Sequence, residues 1–415
     1  ITESLGDLYG MHWPFKQHKT SRNIKTLPYH NELKSFGACF GVSGGYERPM
    51  WFALDGEKTE YEYSYNYQNW YPSAEYETNN TVKNVGLFDL TPFSKFEIKS
   101  DKAHKELQKI CTANIKNEVG KCIYTHMLNP DAGIETDLTV VCIEKDHFRI
   151  ISSAATRERD KFHIKKYLAK DIELKDVTDD FCVFGVFGPK SRALMKSISK
   201  DDFENDEFRF GTAKYISIEG IKIWTQRLSY VGELGFELYV RSKDAKKIYE
   251  LLIDKGKDFN LSNCGMHAMD IMRMESGFLH WGHDISPEEN QYQAGLSFTI
   301  SSKKEDEFIG KRALEKIKKE KIKSRFAMFT LKDSKPGEPL LLHDEPIYLE
   351  NKIIGRSTSG NYSFNFRKNL TFGYINNDIS NDELHKKDLF IEIEKKKYPI
   401  ELINKPLKQT NFKNN

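Results

Sequence analysis

The stretch L-N-P-D-A-G-I-E-T-D-L-T-V-V-C-I, residues 128–143, joins a turn to a buried strand and says most about the fold. Its apolar run, Leu138–Ile143, is followed after a short charged turn by a second apolar run, Phe148–Ser152, which predicts a β-hairpin. Asp137 stands at the mouth of the first strand, where a partly desolvated carboxylate can act as a base or steady a cation. On spacing alone, a turn aspartate that caps backbone N–H groups is the favoured interpretation.

Strand and helix patterns alternate on the C-terminal side of this hairpin. Phe181–Phe187 is an apolar strand candidate. The runs Tyr215–Ile218 and Ile221–Trp224 flank a two-residue turn and predict a second hairpin. Between residues 243 and 256 apolar side chains recur at helical spacing, and a glycine ends the pattern. The whole region predicts an α+β fold.

The two ends of the chain differ from this middle part. Residues 1–75 are aromatic and rich in loops, so we expect them to pack against another domain rather than to form their own core. Residues 303–324 are rich in lysine with interleaved acids, which is typical of a solvated helix or linker rather than a nucleic-acid patch. Short strand candidates then predict a small antiparallel β-barrel. They are Arg325–Leu331, Glu345–Leu349, Lys352–Thr358, Leu370–Ile375 and Leu389–Ile393.

Composition narrows the classes of function. The 415 residues carry 63 Lys plus Arg and 61 Asp plus Glu, a net charge of +2, which gives no reason to expect a nucleic acid or an anionic membrane as partner. No apolar run approaches the roughly 20 residues of a membrane-spanning helix. The six cysteines form no C-x-x-C pair, so we expect no metal and predict buried, reduced thiols in a reducing compartment. Neither a dinucleotide glycine fingerprint nor a phosphate loop is present.

Two further segments combine glycine turns with polar side chains. In Arg227–Glu237 two acids, Glu233 and Glu237, stand four residues apart among glycines and aromatics. One carboxylate there can accept two hydrogen bonds from an aminopyrimidine edge, and a solvated turn is the alternative. In the Met-rich stretch Cys264–Gly277, Arg273 can meet a ligand carboxylate or pair with a neighbouring acid, Asp270 or Glu275. The methionines themselves are expected to belong to the core.

Taken in order, these segments resemble the folate-binding aminomethyltransferase family, to which the T-protein of the glycine cleavage system belongs. The similarity extends over about residues 76–405 and implies a multi-domain T-protein-like fold that ends in the barrel. The matching pieces are Gly86–Asp89, Gly133–Val140, Arg227–Glu237, Ala268–Gly277, Gly282–Ile285, Phe308–Lys311 and Gly355–Gly360.

The N-terminal part is similar to a narrower branch, the flavin-dependent dimethylglycine and sarcosine dehydrogenases. The similarity rests on Gly10–Pro14, Gly37–Gly41, Tyr46–Phe52 and His280–Asp284. It implies that the chain, which opens at Ile1 without an initiator Met, is the C-terminal half of a longer flavoprotein. FAD would then belong only to a flavin domain outside these residues. The compartment implied is the cytoplasm, or the mitochondrial matrix in a eukaryote.

This resemblance also implies a division of the chain. Residues 1–75 would end the segment that links the flavin and folate modules, and 76–302 would form the folate-binding domain. The lysine-rich linker, 303–324, would lead to the barrel at 325–405 and a tail at 406–415.

In such enzymes an N-methyl amine is oxidised to an iminium, which tetrahydrofolate captures as 5,10-methylenetetrahydrofolate. The resemblance gives the catalytic role to Asp137, although the T-protein tends to carry two adjacent acids where this chain has Thr136 and Asp137. It implies that the pterin pocket is lined by Tyr124, Ser152, Tyr230, Glu233 and Arg273.

This chain departs from the T-protein pattern at three positions. Met269 stands where an Arg is common, and Ser152 where Asn is usual. Ala132 replaces the first Gly of a common pair, which Ala can do if its φ is negative. Two other functions stay open: a stand-alone aminomethyltransferase of the glycine cleavage type, or a folate-free scaffold that encloses the intermediate.

Overall fold

The computed structural model describes residues 2–304, 306–409 and 412–413. The fold is mixed α/β, which confirms the predicted class. The helices, in chain order, are α1 Thr2–Asp7, α2 His30–Ser35, α3 Tyr71–Lys83, α4 Ala103–Ile110, α5 Arg157–Tyr167, α6 Ser191–Ile198, α7 Ser242–Gly256, α8 Met266–Glu275, α9 Lys311–Lys319 and α10 Asn381–Lys386. Short 3₁₀ turns cover Thr178–Asp180, Lys257–Phe259 and Ser297–Thr299.

Nineteen strands form four sheets within the described residues. In chain order they are β1 Ala38–Ser43, β2 Tyr46–Phe52, β3 Val85–Asp89, β4 Ser94–Lys99, β5 Cys122–Leu128, β6 Ile134–Glu144, β7 His147–Ser152, β8 Lys175–Asp176, β9 Phe181–Phe187, β10 Ala213–Ile218, β11 Ile221–Gln226, β12 Gly235–Arg241, β13 Leu261–Cys264, β14 Ser324–Leu331, β15 Pro346–Leu349, β16 Lys352–Ser363, β17 Lys368–Asn376, β18 Leu389–Ile393 and β19 Lys396–Ile403.

The middle of the chain holds two sheets. One has the strand order β10-β11-β12-β9-β3-β13 and is antiparallel except for the β3–β13 pair. The other has the order β5-β6-β7-β4-β8. The two predicted hairpins, β6–β7 and β10–β11, are both confirmed. Helix α7 covers the first sheet with the apolar stripe that the spacing predicts, Ala245, Ile248, Tyr249 and Leu252.

The C-terminal barrel is closed, with the order β14-β17-β16-β15-β18-β19. Five of its strands are those the sequence predicts. The sixth, β19, pairs with β14 and so closes the barrel. The sequence does not reveal this strand, because the exposed residues Lys396, Lys397 and Pro399 precede the short alternation of buried Ile400 and Leu402.

The N-terminal segment packs against the rest of the chain, as expected. Trp51 and Trp70 are buried with Ile271 of α8 and with Tyr362 and Phe364 near the end of β16. All six cysteines are free and buried, which confirms that prediction. Among the described residues, no helix has both the length and the apolar character that crossing a membrane requires.

Candidate functional site

Strand alternation places Asp137 between the two middle sheets. On β6, Val141 and Ile143 pack into a cluster that includes Trp224 of β11 and Tyr239 of β12. The residues that alternate with them, Val140 and Cys142, pack on the opposite side of the same sheet. Because side chains alternate along a strand, Asp137 shares the face of Val141 and points into the space between the sheets.

The loop that leads into β6, three residues before Asp137, is shaped by Asn129. Its side-chain oxygen accepts hydrogen bonds from the backbone N–H groups of Asp131 and Gly133. Gly133 is required because a Cβ there would lie 1.9 Å from the carbonyl oxygen of Pro287. Ala132 has a φ of 70°. The condition under which Ala replaces Gly without strain, a negative φ, is therefore not met, and Ala132 adopts a left-handed conformation that favours glycine.

Asp137 has the environment of a proton-transfer group. Its side chain is 18% exposed, and its Oδ1 atom is buried without a hydrogen-bond partner among the described residues. Burial raises the pKa of this carboxyl from 3.8 to about 7; the Tyr124 hydroxyl opposes the shift and the negative charge of Asp160 adds to it. A carboxyl with that pKa can both take and give a proton at neutral pH.

Two of the predicted tyrosines share this space with Asp137. Tyr124 on β5 is 39% exposed, yet burial raises the pKa of its hydroxyl well above the usual value, which is the condition of a side chain in a concave surface. Tyr230 donates a hydrogen bond of 2.9 Å to the carbonyl of Leu279 and stacks on Phe278 at 6.0 Å. The charge of Asp137 acts on both hydroxyls. The structure thus brings Asp137, Tyr124 and Tyr230 together.

Ser152 and Glu233 have other neighbours. Ser152 pairs in register with Leu138 and is buried, and its hydroxyl opposes the rise that burial causes in the pKa of Asp160. It therefore lies on the far side of β6 from the space between the sheets. Glu233 forms a buried ion pair with Lys408, and burial raises the pKa of its carboxyl although Lys408 opposes the shift.

Arg273 is held inside a network of hydrogen bonds. Its Nε donates to Asp270 at 2.8 Å and its Nη1 to Asp284 at 2.5 Å. Its remaining contacts reach the Phe278 carbonyl and the Ser359 hydroxyl. Of the two internal partners that the sequence allows, Asp270 is the one found. Glu275 instead accepts hydrogen bonds from two residues of the barrel, Ser363 and Asn365.

The structure adds Gln226, which the sequence reasoning did not consider, and it places Glu237, which that reasoning left open beside Glu233, on the same face of the sheet. Glu237 and Gln226 face each other in register on β12 and β11, on the face that carries Tyr239 and Trp224. Gln226 is fully buried, and neither its amide nitrogen nor its amide oxygen has a hydrogen-bond partner among the described residues. Burial raises the pKa of Glu237 to about 7, and the Tyr239 hydroxyl opposes the shift.

A signal for Glu237 exists in the sequence. The apolar residues Phe236 and Leu238 alternate with Glu237 and Tyr239, which puts the two polar-capable side chains on one face. That face looks toward β5, because Cys122 of β5 packs in the same cluster as Tyr239 and Trp224. His126, also on β5, has no such signal in the sequence.

The space between the sheets thus offers aromatic rings, two carboxyls with raised pKa values and an unpartnered amide. This set suits a flat heteroaromatic ligand with several N–H and C=O groups. Comparison with known proteins bears on the same part of the chain. The GCVT N-terminal domain family matches residues 29–304, and the glycine cleavage T-protein C-terminal barrel domain family matches residues 325–408.

The chain belongs to the glycine cleavage T-protein family. Among its curated relatives, the aminomethyltransferase of Alkaliphilus metalliredigens is 30% identical over 80% of this chain and 88% of its own length. The 4-methylaminobutanoate oxidase (formaldehyde-forming) of Paenarthrobacter nicotinovorans is 38% identical over 87% of this chain. The mitochondrial dimethylglycine dehydrogenase of Rattus norvegicus is 32% identical over 88%.

The chain spans less than half the length of the last two relatives, 43% of the oxidase and 42% of the dehydrogenase. Among solved structures, the glycine cleavage system aminomethyltransferase T of Bartonella henselae superposes with a TM-score of 0.79. That match covers 93% of this chain and 98% of the other at 20% sequence identity. It shows that the T-protein fold is shared.

Proposed function

We propose that this chain is a tetrahydrofolate-binding, one-carbon transfer module of a flavin-dependent enzyme that oxidises N-methyl amines. It would capture an iminium or formaldehyde equivalent as 5,10-methylenetetrahydrofolate. The observation that carries the proposal is the buried, unpartnered carboxyl oxygen of Asp137 between Tyr124 and Tyr230. The names of the oxidase and dehydrogenase relatives support the class of amine substrate.

Unsatisfied polar groups support the fit of a folate. A buried amide without a partner costs about 1–3 kcal/mol, so the pair of free atoms on Gln226 favours a ligand that completes both hydrogen bonds. A pterin ring carries adjacent donors and acceptors of this kind. Glu237 would accept from the amino and N–H groups of the ring, and Tyr124 and Tyr230 would flank it.

Asp137 would then manage the protons of the transfer. When bound, tetrahydrofolate supplies the two nucleophilic nitrogens that receive the carbon. In its charged form Asp137 accepts the proton released as a new carbon–nitrogen bond forms. In its protonated form it returns that proton to the departing amine, and the second proton, released as the ring closes, leaves with the amine as an ammonium ion, so the carboxyl ends as it began. The pKa of about 7 makes both forms available at neutral pH.

FAD and the oxidation step would belong to a flavin-binding portion outside these residues, which we propose as the partner of this chain. The free, buried cysteines support a reducing compartment, for which we propose the cytoplasm or, in a eukaryote, the mitochondrial matrix. A stand-alone aminomethyltransferase is the second candidate. The near full-length match to such an enzyme favours it.

Calorimetric titration with tetrahydrofolate under anaerobic conditions tests the proposal. We expect a Kd in the micromolar range or tighter, about 8 kcal/mol of binding free energy. Gln226→Leu should weaken binding about ten-fold or more, because it removes the amide but keeps the volume. Asp131→Asn, which changes an exposed acid in the loop before Asp137, is the control and should bind like the parent.

Asp137→Asn separates binding from transfer. It should bind tetrahydrofolate within about ten-fold of the parent, yet lose about 10²–10⁴-fold in methylene transfer when the flavin portion is present. A folded parent chain that binds no tetrahydrofolate would overturn the folate assignment and leave the scaffold function. Equal transfer by the parent and by Asp137→Asn would remove Asp137 from the reaction.

A further inference from the structure

The imidazole of His126 lies directly behind the Tyr124–Asp137 pair. Its side chain is fully buried on β5. Its Nδ1 lies 3.0 Å from the hydroxyl oxygen of Thr299 in the 3₁₀ turn Ser297–Thr299. Its Nε2 lies 3.3 Å from the Tyr124 hydroxyl and 3.8 Å from Oδ1 of Asp137.

The hydrogen bonds around Thr299 determine which ring nitrogen carries the proton. The Thr299 hydroxyl donates its single proton to the carbonyl of Leu296 at 2.7 Å. Its oxygen can therefore only accept from His126, so Nδ1 is the N–H nitrogen. Burial lowers the pKa of His126 to about 3, and the ring is neutral. Nε2 consequently carries a lone pair.

We propose that His126 is a positioning residue for proton transfer at Asp137: Thr299 fixes its tautomer, and its Nε2 presents a permanent acceptor to Tyr124 and Asp137. This inference rests on the proposed function. As a hydrogen-bond acceptor Nε2 competes with Asp137 for the Tyr124 hydroxyl, and toward the carboxyl oxygen 3.8 Å away it presents a lone pair rather than an N–H. It therefore favours the proton-carrying form of Asp137.

The turn that carries Thr299 is itself anchored. Thr112 donates a hydrogen bond of 3.1 Å to the Thr299 carbonyl. Phe298, 74% exposed, stacks beside Tyr124 with ring centroids 6.3 Å apart. The turn thus contacts both His126, through Thr299, and Tyr124, through Phe298.

Within the described part of the chain, the other titratable groups that interact with Asp137 are unchanged by a substitution at Thr299. They are Tyr124 on β5, Asp160 on α5 and Tyr230 in the segment between β11 and β12. None of these three groups is a cation. Whether Oδ1 of Asp137 faces a donor or an acceptor on His126 therefore depends on which ring nitrogen of His126 carries the hydrogen.

Thr299→Val and Thr299→Ser form the test, and both are read by NMR on the chain without folate. Nitrogen-15 spectra should show His126 as the Nδ1–H tautomer in the parent and in Thr299→Ser, which keeps the hydroxyl. Thr299→Val removes the acceptor at nearly constant size, so Nε2–H should appear. That N–H would donate to Asp137 and lower the pKa of its carboxyl, followed by carbon-13 NMR, by about 1.

The outcomes are distinct. An Nε2–H tautomer in the parent would overturn the proposal, even if Thr299→Val fails to fold. A folded Thr299→Val with unchanged tautomer and unchanged Asp137 titration would overturn it as well. Because no folate is present, a chain that binds no tetrahydrofolate can still pass or fail this test. In the complete enzyme, Thr299→Val should move the pH profile of methylene transfer toward acid by about one pH unit, a ten-fold change in proton concentration.

Discussion

Asp284 and Asp137 both act electrostatically on the Tyr230 hydroxyl, but they differ in how many hydrogen bonds the protein gives them. Asp284 accepts from Arg273 and from three further donors, the hydroxyls of Thr358 and Ser359 and the backbone N–H of His280. Asp137 has one buried oxygen with no partner among the described residues, and the His126 nitrogen 3.8 Å from it is, by our proposal, an acceptor.

The contrast distinguishes a carboxylate that stabilises the fold from a carboxyl that can still bind a ligand. Asp284 and Arg273 connect helix α8 to strand β16 of the barrel, and the polar side-chain atoms of both residues are hydrogen-bonded within the protein. Asp137 has burial without compensation, which is unfavourable for folding and raises its pKa. A ligand that supplied the missing partner would gain what folding loses.

The largest effect is expected where the charges are paired. Arg273→Met would leave two carboxylates, Asp270 and Asp284, without their cation and should lower the free energy of unfolding by about 3–5 kcal/mol. Arg356→Met is the matched control, because Arg356 pairs with Asp344 at the surface and should cost less than about 1 kcal/mol. Urea denaturation followed by circular dichroism measures both. Equal losses would show that the buried network is not special.

The next effect concerns pH. The folded-state pKa of Asp137, about 7, lies above its ordinary value of 3.8, so its contribution is fully present at acid pH and is lost as pH rises toward 7. Asp137→Asn cannot ionise. We therefore expect it to match the parent near pH 4 and to exceed it in stability at pH 8 by up to about 4 kcal/mol.

Comparing the two proteins at each pH cancels the titration of the other acids. Glu237→Gln provides a second curve for a carboxyl with the same folded-state pKa. A difference between parent and Asp137→Asn that stays flat from pH 4 to 8 would mean that Asp137 is not desolvated. It would also remove the contrast with Asp284.

Local patterns were enough to predict much of the fold. The β6–β7 hairpin follows from two apolar runs around a charged turn, and β9 coincides with its predicted run, Phe181–Phe187. Strand β19 was not predicted, since Pro399 and the lysines obscure its alternation. Its position is fixed by closure of the barrel against β14, a contact between residues some 70 positions apart in sequence.

The site was predictable only in part. A turn that meets an apolar strand marked Asp137 as a candidate, but its role, like that of Tyr124, came from the resemblance. Asp270, a partner of Arg273 on the same helix, was predicted, but Asp284 and Ser359 of β16 are partners that no spacing within α8 reveals. His126 is a lone histidine in a strand. Its role depends on a hydroxyl proton of Thr299, 173 residues away, and on where that proton points.

The smallest expected effect lies in the loop before Asp137. Ala132 holds a φ of 70°, which costs an L-residue about 1–2 kcal/mol, whereas its buried methyl contributes about 0.8 kcal/mol. Ala132→Gly relieves the first, loses the second and makes the unfolded chain more flexible by about 0.4–1 kcal/mol. These terms nearly cancel, so we expect a change within about 0.5 kcal/mol by thermal or urea unfolding. If Ala132→Gly raises the free energy of unfolding by more than that, the strain is uncompensated and this loop, like Asp137, is held in an unfavourable state. If it clearly lowers the free energy of unfolding, the loop resembles the well-packed surroundings of Asp284.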